Sequence, residues 1–104
     1  MYVEDGLDAI FTIIKKSKEK NNVYNLGHDE ILTVDQIVNT ILRSVNSKVD
    51  KRYMGGKHGW KGDNNFVHLE TSKLKSLGWR PKMTIKQGIL KTVQYLQKHP
   101  QLLD

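Results

Sequence analysis

The chain has no cysteine. That removes disulfides, thiolate nucleophiles and thiolate metal ligands, and it fits a cytoplasmic protein. No apolar run approaches the roughly 20 residues of a membrane span. Acidic residues are outnumbered, 11 against 17 basic ones, for a net charge of +6. Such a balance favours an anionic partner, either nucleic acid or a phosphorylated small molecule. The N-terminus, MYVEDG, is acidic where a signal peptide is basic, so none is expected. The histidines His28, His58, His68 and His99 lack metal-ligand spacing, so no zinc site is expected. No repeat or low-complexity segment is present. At 104 residues the chain is read as one small domain, 1–104. It is too short for a six-stranded dinucleotide-binding domain plus a substrate domain.

What is present reads as three main helices with a few short strands. Leu7, Ile10, Phe11 and Ile14 recur at helical spacing across residues 4–19, with Ala9 and Ile13 broadening the face. This stripe is expected to be core. Glu4 or Asp5 suits the positive end of the helix dipole, and Lys15, Lys16, Lys18 and Lys20 suit the other. Asn21 and Asn22 are expected to end the helix. Val23–Leu26 is β-prone and stops at Gly27. Thr33-Val34-Asp35-Gln36 is a capping box ahead of Ile37, Val38, Ile41, Leu42 and Val45. Val49–Met54 and Phe66, Val67 and Leu69 are further candidate strands. Thr71–Leu77 predicts one or two helical turns closed by Gly78. After Pro81, a second capping box, Thr84-Ile85-Lys86-Gln87, opens a helix that His99-Pro100 stops. The class is α/β or α+β, with no complete Rossmann domain.

Between the second and third candidate strands lies GGKHGWKGD, residues 55–63. Its Gly56, Gly59 and Gly62 imitate a dinucleotide fingerprint, but the context is wrong. Such a loop needs a buried strand before it and a helix starting within it. Here Val49-Asp50-Lys51-Arg52-Tyr53 is too charged for a central strand, and Gly62-Asp63-Asn64-Asn65 breaks helices. Tyr53 and Lys57 imitate a catalytic Y-x-x-x-K pair. Gly55 and Gly56 between them cost a helix about 2 kcal/mol, so the pair does not share a helical face.

Several segments, in order, carry a resemblance over nearly the whole chain. Tyr2-Val3-Glu4-Asp5 is similar to a Y-V-x-D motif, and Gly59-Trp60-Lys61-Gly62-Asp63 to an R-x-G-D or R-G-W-x-G-D loop. Thr71-Ser72-Lys73-Leu74, Leu77-Gly78-Trp79-Arg80-Pro81 and Gly88-Ile89 resemble D-x-S-K, L-G-W-x-P and E-G-I signatures. Together they resemble the C-terminal substrate-binding part of nucleotide-sugar epimerases and dehydratases, extended short-chain dehydrogenases that use NAD, the UDP-glucose 4-epimerase type above all. The resemblance implies that residues 1–27 correspond to the last helix-strand unit of the dinucleotide domain. It also implies that the cofactor fingerprint and the catalytic Tyr/Lys pair lie in an N-terminal domain or chain. This chain alone would then bind no cofactor, carry no catalytic residue and be inert.

The resemblance further implies that residues 57–63 meet the nucleoside diphosphate of the substrate sugar. Asp63 would accept hydrogen bonds from ribose hydroxyls, and a cationic side chain would hold phosphate oxygens. The family's loop arginine is absent; His58 or Trp60 takes its place, with Lys57 and Lys61 nearby. Asn65 stands for a frequent proline and Glu70 for the usual aspartate. Each residue also has a plainer reading: Asp63 as a turn former, the lysines as solvated charges, Trp60 and Trp79 as packing residues. Without the N-terminal domain the first helix's apolar face is expected to be partly exposed, opening a route to homo-oligomers. A small nucleic-acid-binding domain centred on Lys48, Lys51, Arg52, Lys57 and Lys61, or an inert remnant, are the alternatives.

Overall fold

The computed structural model describes residues 1–56 and 66–103. Four α-helices follow one another: α1, Val3–Lys16; α2, Val34–Ser44; α3, Ser72–Ser76; and α4, Ile85–Lys98. A 3-10 turn, Pro100–Leu102, closes the described chain.

Both capping boxes form. In α2 the Gln36 amide N–H donates to the Thr33 hydroxyl at 3.2 Å, and the Thr33 N–H donates to the Gln36 side chain at 2.9 Å. Thr84 and Gln87 repeat this at α4, at 3.1 and 2.9 Å. Each box satisfies two amides that a helix start otherwise leaves without partners. The stops are equally local. Asn46 adopts φ 56° after α2 while the Ser47 N–H reaches back to the Leu42 carbonyl, a Schellman closure. Gly78 takes φ 88° after α3. Helix α4 ends at Lys98, with His99 its cap residue and Pro100 following.

Helix α1 ends three residues earlier than its charge pattern suggests. Ser17 is already extended, at φ −71° and ψ 136°. Its hydroxyl gathers the Asn22 side chain and the Tyr24 phenol, which turns the chain back along the helix.

The larger departure concerns which side of α1 faces inward. The buried residues of α1 are Asp5 and Ala9, with Ile13 packed against the same core. Leu7, Ile10, Phe11 and Ile14 face outward, between 48 and 70% exposed. The physical reason lies opposite the helix. Fully buried Ala9 lets α1 come close to Leu74 and Trp79. One turn earlier, Asp5 accepts the backbone N–H groups of Lys82 at 3.0 Å and Met83 at 3.2 Å. A large side chain at either position would separate the helix from the segment that leads into α4. Asp5 therefore acts as a long-range clasp; the N-cap position is Tyr2, with no side-chain cap.

The three segments expected as strands contain no β-ladder, and no strand occurs among the described residues. A strand exists only through its neighbour's backbone. Residues 23–26 are held by side chains instead. The Lys73 ammonium donates to the Val23 carbonyl at 3.0 Å, and the Asn25 amide to the Glu70 carbonyl at 3.0 Å. Tyr24 and Leu26 pack on the Ala9, Leu74 and Trp79 core.

Helix α2 lies against α4. Residues Met1–Val3 reach the same region, and an ideal Cβ on Gly88 of α4 would stand 3.0 Å from the Tyr2 Cβ. Burial is nevertheless modest. The accessible surface is 8754 Å², where a compact monomer of this mass exposes about 6,000 Å². The radius of gyration, 17.0 Å, likewise exceeds the roughly 13 Å of a compact chain of this length.

Candidate functional site

Residues Lys57, His58, Trp60, Lys61 and Asp63 lie outside the described residues. What the structure does place is the frame on either side of them. The incoming side is fixed to α2. The Lys51 ammonium donates to Asp35 at 2.5 Å and to the Asn39 side-chain oxygen at 2.8 Å, and the Tyr53 hydroxyl donates to the same Asp35 carboxylate. The Asn39 amide completes the cluster by donating to Asp35 at 2.9 Å. Three donors on one carboxylate stabilise its charged form. Accordingly, Asp35 is held below its ordinary value of 3.8, first by Lys51 and then by Tyr53, while Lys51 is raised by Asp35. Gly55 and Gly56 follow with φ of 73° and 114°, left-handed backbone that side chains rarely adopt.

The outgoing side is fixed near α3. Phe66 and His68 stack with ring centroids 6.2 Å apart. Glu70 turns its carboxylate onto the Ser72 N–H at 2.8 Å, and the Ser72 hydroxyl, followed by this bond, lowers its pKa. Glu70 thereby satisfies the first amide of α3. Lys73 spans Glu19 at 2.9 Å and the Tyr24 ring at 4.4 Å.

Beneath this frame runs a second set of clasps, centred on residues 82–85. The His28 Nε2–H donates to the Met83 carbonyl at 2.9 Å, and its Nδ1 accepts the Glu30 N–H at 3.0 Å. Those two bonds assign the tautomer with the proton on Nε2, and in it the Glu30 carboxylate 3.9 Å away is no ion-pair partner. Glu30 instead accepts the Ile85 N–H at 2.6 Å. Asp29 pairs with Lys75 through both oxygens, at 2.7 and 2.8 Å, which lowers the Asp29 pKa. None of this was signalled by spacing. His28 and Met83 are 55 residues apart, and a lone histidine in a loop carries no local mark of its partner.

The basic concentration read from the sequence is weaker than its count. Lys51 is neutralised by Asp35. Among the described residues, no group of three His, Asp or Glu side chains is placed to hold a metal ion. The capping boxes of α2 and α4 occupy the N-cap and N3 N–H groups of those two helices.

Comparison with known proteins agrees with the extent of the resemblance, which covers nearly the whole chain. No family profile matches the chain. Human dTDP-D-glucose 4,6-dehydratase is 26% identical over 103 residues, 95% of this chain and 29% of that protein. dTDP-glucose 4,6-dehydratase 1 of Escherichia coli is 29% identical over 114 residues, covering 100% of this chain and 30% of the enzyme. This chain is similar to the nucleotide-sugar dehydratases. The match falls in the C-terminal part of these extended short-chain dehydrogenases. An Arabidopsis thaliana trifunctional UDP-glucose 4,6-dehydratase, epimerase and reductase is 27% identical over 97% of the chain, but only 15% of its own length. The chain thus spans under a third of the curated dehydratases it matches.

Proposed function

We propose that the chain is the nucleotide-sugar-binding portion of a dehydratase- or epimerase-type enzyme. The observation that carries this is the near-complete coverage of the chain by dTDP- and UDP-glucose 4,6-dehydratases. The frame described above is its structural complement. Lys51 and Tyr53 on one side of residues 57–65 in sequence are held by Asp35 of α2, and Glu70 on the other side is held by the Ser72 N–H of α3.

In this reading Lys57 and Lys61 hold phosphate oxygens, Asp63 accepts from ribose hydroxyls, Trp60 lies against the base, and His58 stands in the arginine's place. Neutral imidazole is a weaker phosphate ligand than a bidentate guanidinium, so affinity is modest. The UDP-glucose 4-epimerase type is the finer form of the proposal and rests on the Gly59-Trp60-Lys61-Gly62-Asp63 loop; the named relatives favour the dehydratase branch. Turnover needs a hydride acceptor and a general base. Both are assigned to an N-terminal dinucleotide domain, with NAD as its cofactor, and the first helix and residues 23–26 to the region that meets it.

Isothermal titration of the chain with UDP-glucose and dTDP-glucose tests the proposal. Binding is expected that Asp63→Ala or a Lys57→Ala/Lys61→Ala double variant removes. No heat with either sugar nucleotide, even with an N-terminal domain supplied, overturns it. Steady turnover of either sugar by this chain and NAD alone would overturn the assignment of catalysis elsewhere.

A further inference from the structure

We propose, resting on the function given above, that Asp35 is a positioning residue for the sugar-nucleotide site: it holds Lys51 and Tyr53, and with them the chain that leads in sequence to residues 57–63, against α2.

Asp35 belongs to a fixed element. The capping box of Thr33 and Gln36 sets the first turn of α2, and the helix packs on α4. Asp35 and Asn39 stand four residues apart, so they share one side of the helix. The Asn39 amide donates to one Asp35 oxygen at 2.9 Å, which leaves the other oxygen for the neighbouring chain. That oxygen takes the Lys51 ammonium at 2.5 Å and the Tyr53 hydroxyl. Lys51 also donates to the Asn39 side-chain oxygen at 2.8 Å. Lys51 and Tyr53 are two residues apart, so an extended chain turns both to the same side. The Lys51 ammonium lies 5.6 Å from the centre of the Tyr53 ring.

The chain here has little else to order it. Residues 47–56 belong to no helix or strand, and Gly55 and Gly56 are its most permissive points. With Tyr53 held, four residues lead to Lys57. Without the cluster, the next hydrogen bond back along the chain among the described residues joins the Ser47 N–H to the Leu42 carbonyl, ten residues from Lys57. The effective concentration of a tethered group falls as roughly the −3/2 power of its free length, so this lengthening weakens binding about fourfold.

Charge alone predicts the opposite sign. A sugar nucleotide is an anion, whereas Asp35 is itself negative and neutralises Lys51. A site governed only by charge would gain from losing that carboxylate. Asp35 serves an anion site through what it holds.

The test is isothermal titration of the full chain with UDP-glucose and dTDP-glucose, with far-ultraviolet circular dichroism as the folding control. Asp35→Asn is expected to bind about fourfold more weakly, although it removes a negative charge. Tyr53→Phe changes no charge and lies outside every helix. It is expected to weaken binding too, by a ratio to wild type that persists in about 0.5 M salt, where exposed charges are screened. Asp35→Asn/Lys51→Met is expected to lose less than the product of the two single losses, because both act through one cluster. Should Asp35→Asn lose helicity, Tyr53→Phe decides alone. A wild type that binds neither sugar nucleotide, with or without an N-terminal domain supplied, overturns the positioning role together with the proposed function. A wild type that binds, beside a folded Asp35→Asn that binds as tightly or more tightly, overturns the positioning role and leaves that function standing. So does a Tyr53→Phe variant that binds as the wild type does, or a double variant that shows the full product of losses.

Discussion

Removing the Asp5 carboxylate is expected to loosen the whole domain, although Asp5 lies in the first turn of α1. The side chain is 3% exposed and accepts two backbone N–H groups, from Lys82 at 3.0 Å and Met83 at 3.2 Å. Hydrogen bonds to a charged group contribute about 1.5–3 kcal/mol each. Taking the low end of both, because Lys82 is solvent-facing and its N–H can rehydrate, Asp5→Ala costs about 3 kcal/mol. That is a large share of the 5–15 kcal/mol typical of small domains. It corresponds to a fall in Tm of at least about 12 °C for a chain near 100 residues. Asp5→Asn separates shape from charge. The amide oxygen can still accept one N–H, but its NH₂ group is set against the other donor, so a loss of about 2 kcal/mol is expected. Thermal and urea unfolding followed at 222 nm read both variants. The Met83 residue supplies an internal check, since its N–H binds Asp5 and its carbonyl binds His28. Asp5→Ala and His28→Ala should then be non-additive in a double-mutant cycle, as residues sharing one partner are. Additive losses, or an Asp5→Ala variant within about 1 kcal/mol of wild type, would refute the clasp.

Leu74→Ala should lower stability by about 2–5 kcal/mol, the range for a fully buried leucine, and equal urea midpoints for variant and wild type would contradict the core described above. Gly88→Ala gains about 1 kcal/mol of helix propensity but forces a methyl to 3.0 Å from the Tyr2 Cβ; a net loss is expected in the same melts, and a raised Tm would show that the chain start yields freely. Asp35 should titrate below 3.8 in an NMR pH series because Lys51 and Tyr53 favour its charged form, and Lys51→Met should move its midpoint up. With the folded value depressed, the stability it contributes is complete above the unfolded value of 3.8 and disappears as pH falls through the lower folded value. A midpoint at or above 3.8 in the wild type would remove the cluster from the account.

The sequence was most readable where the deciding physics is local. A capping box is complete within four residues, so Thr33 to Gln36 and Thr84 to Gln87 announce their helices without knowledge of anything else. Gly78 and Pro100 mark stops for similar reasons, through their own backbone preferences. The packing role of Trp79 was also legible from its large apolar ring, and it is 2% exposed. The strands were not legible, because β-prone composition describes a residue and a ladder describes a pair.

Helix α1 is the instructive case. Its periodicity locates a helix correctly, but amphipathicity names an apolar face without naming its partner. Size alone favours Leu7, Ile10, Phe11 and Ile14 as core. Inside this chain the opposite side wins, because Asp5 and Ala9 meet two backbone N–H groups and a close-packed neighbour that only small or hydrogen-bonding residues can meet. A helix whose inward side is a carboxylate and a methyl group, and whose outward side is five large apolar side chains, has two faces that both expect company. The inward face is served within 104 residues. The outward face, Leu7, Ile10, Phe11 and Ile14, stays exposed, because nothing among the described residues covers it.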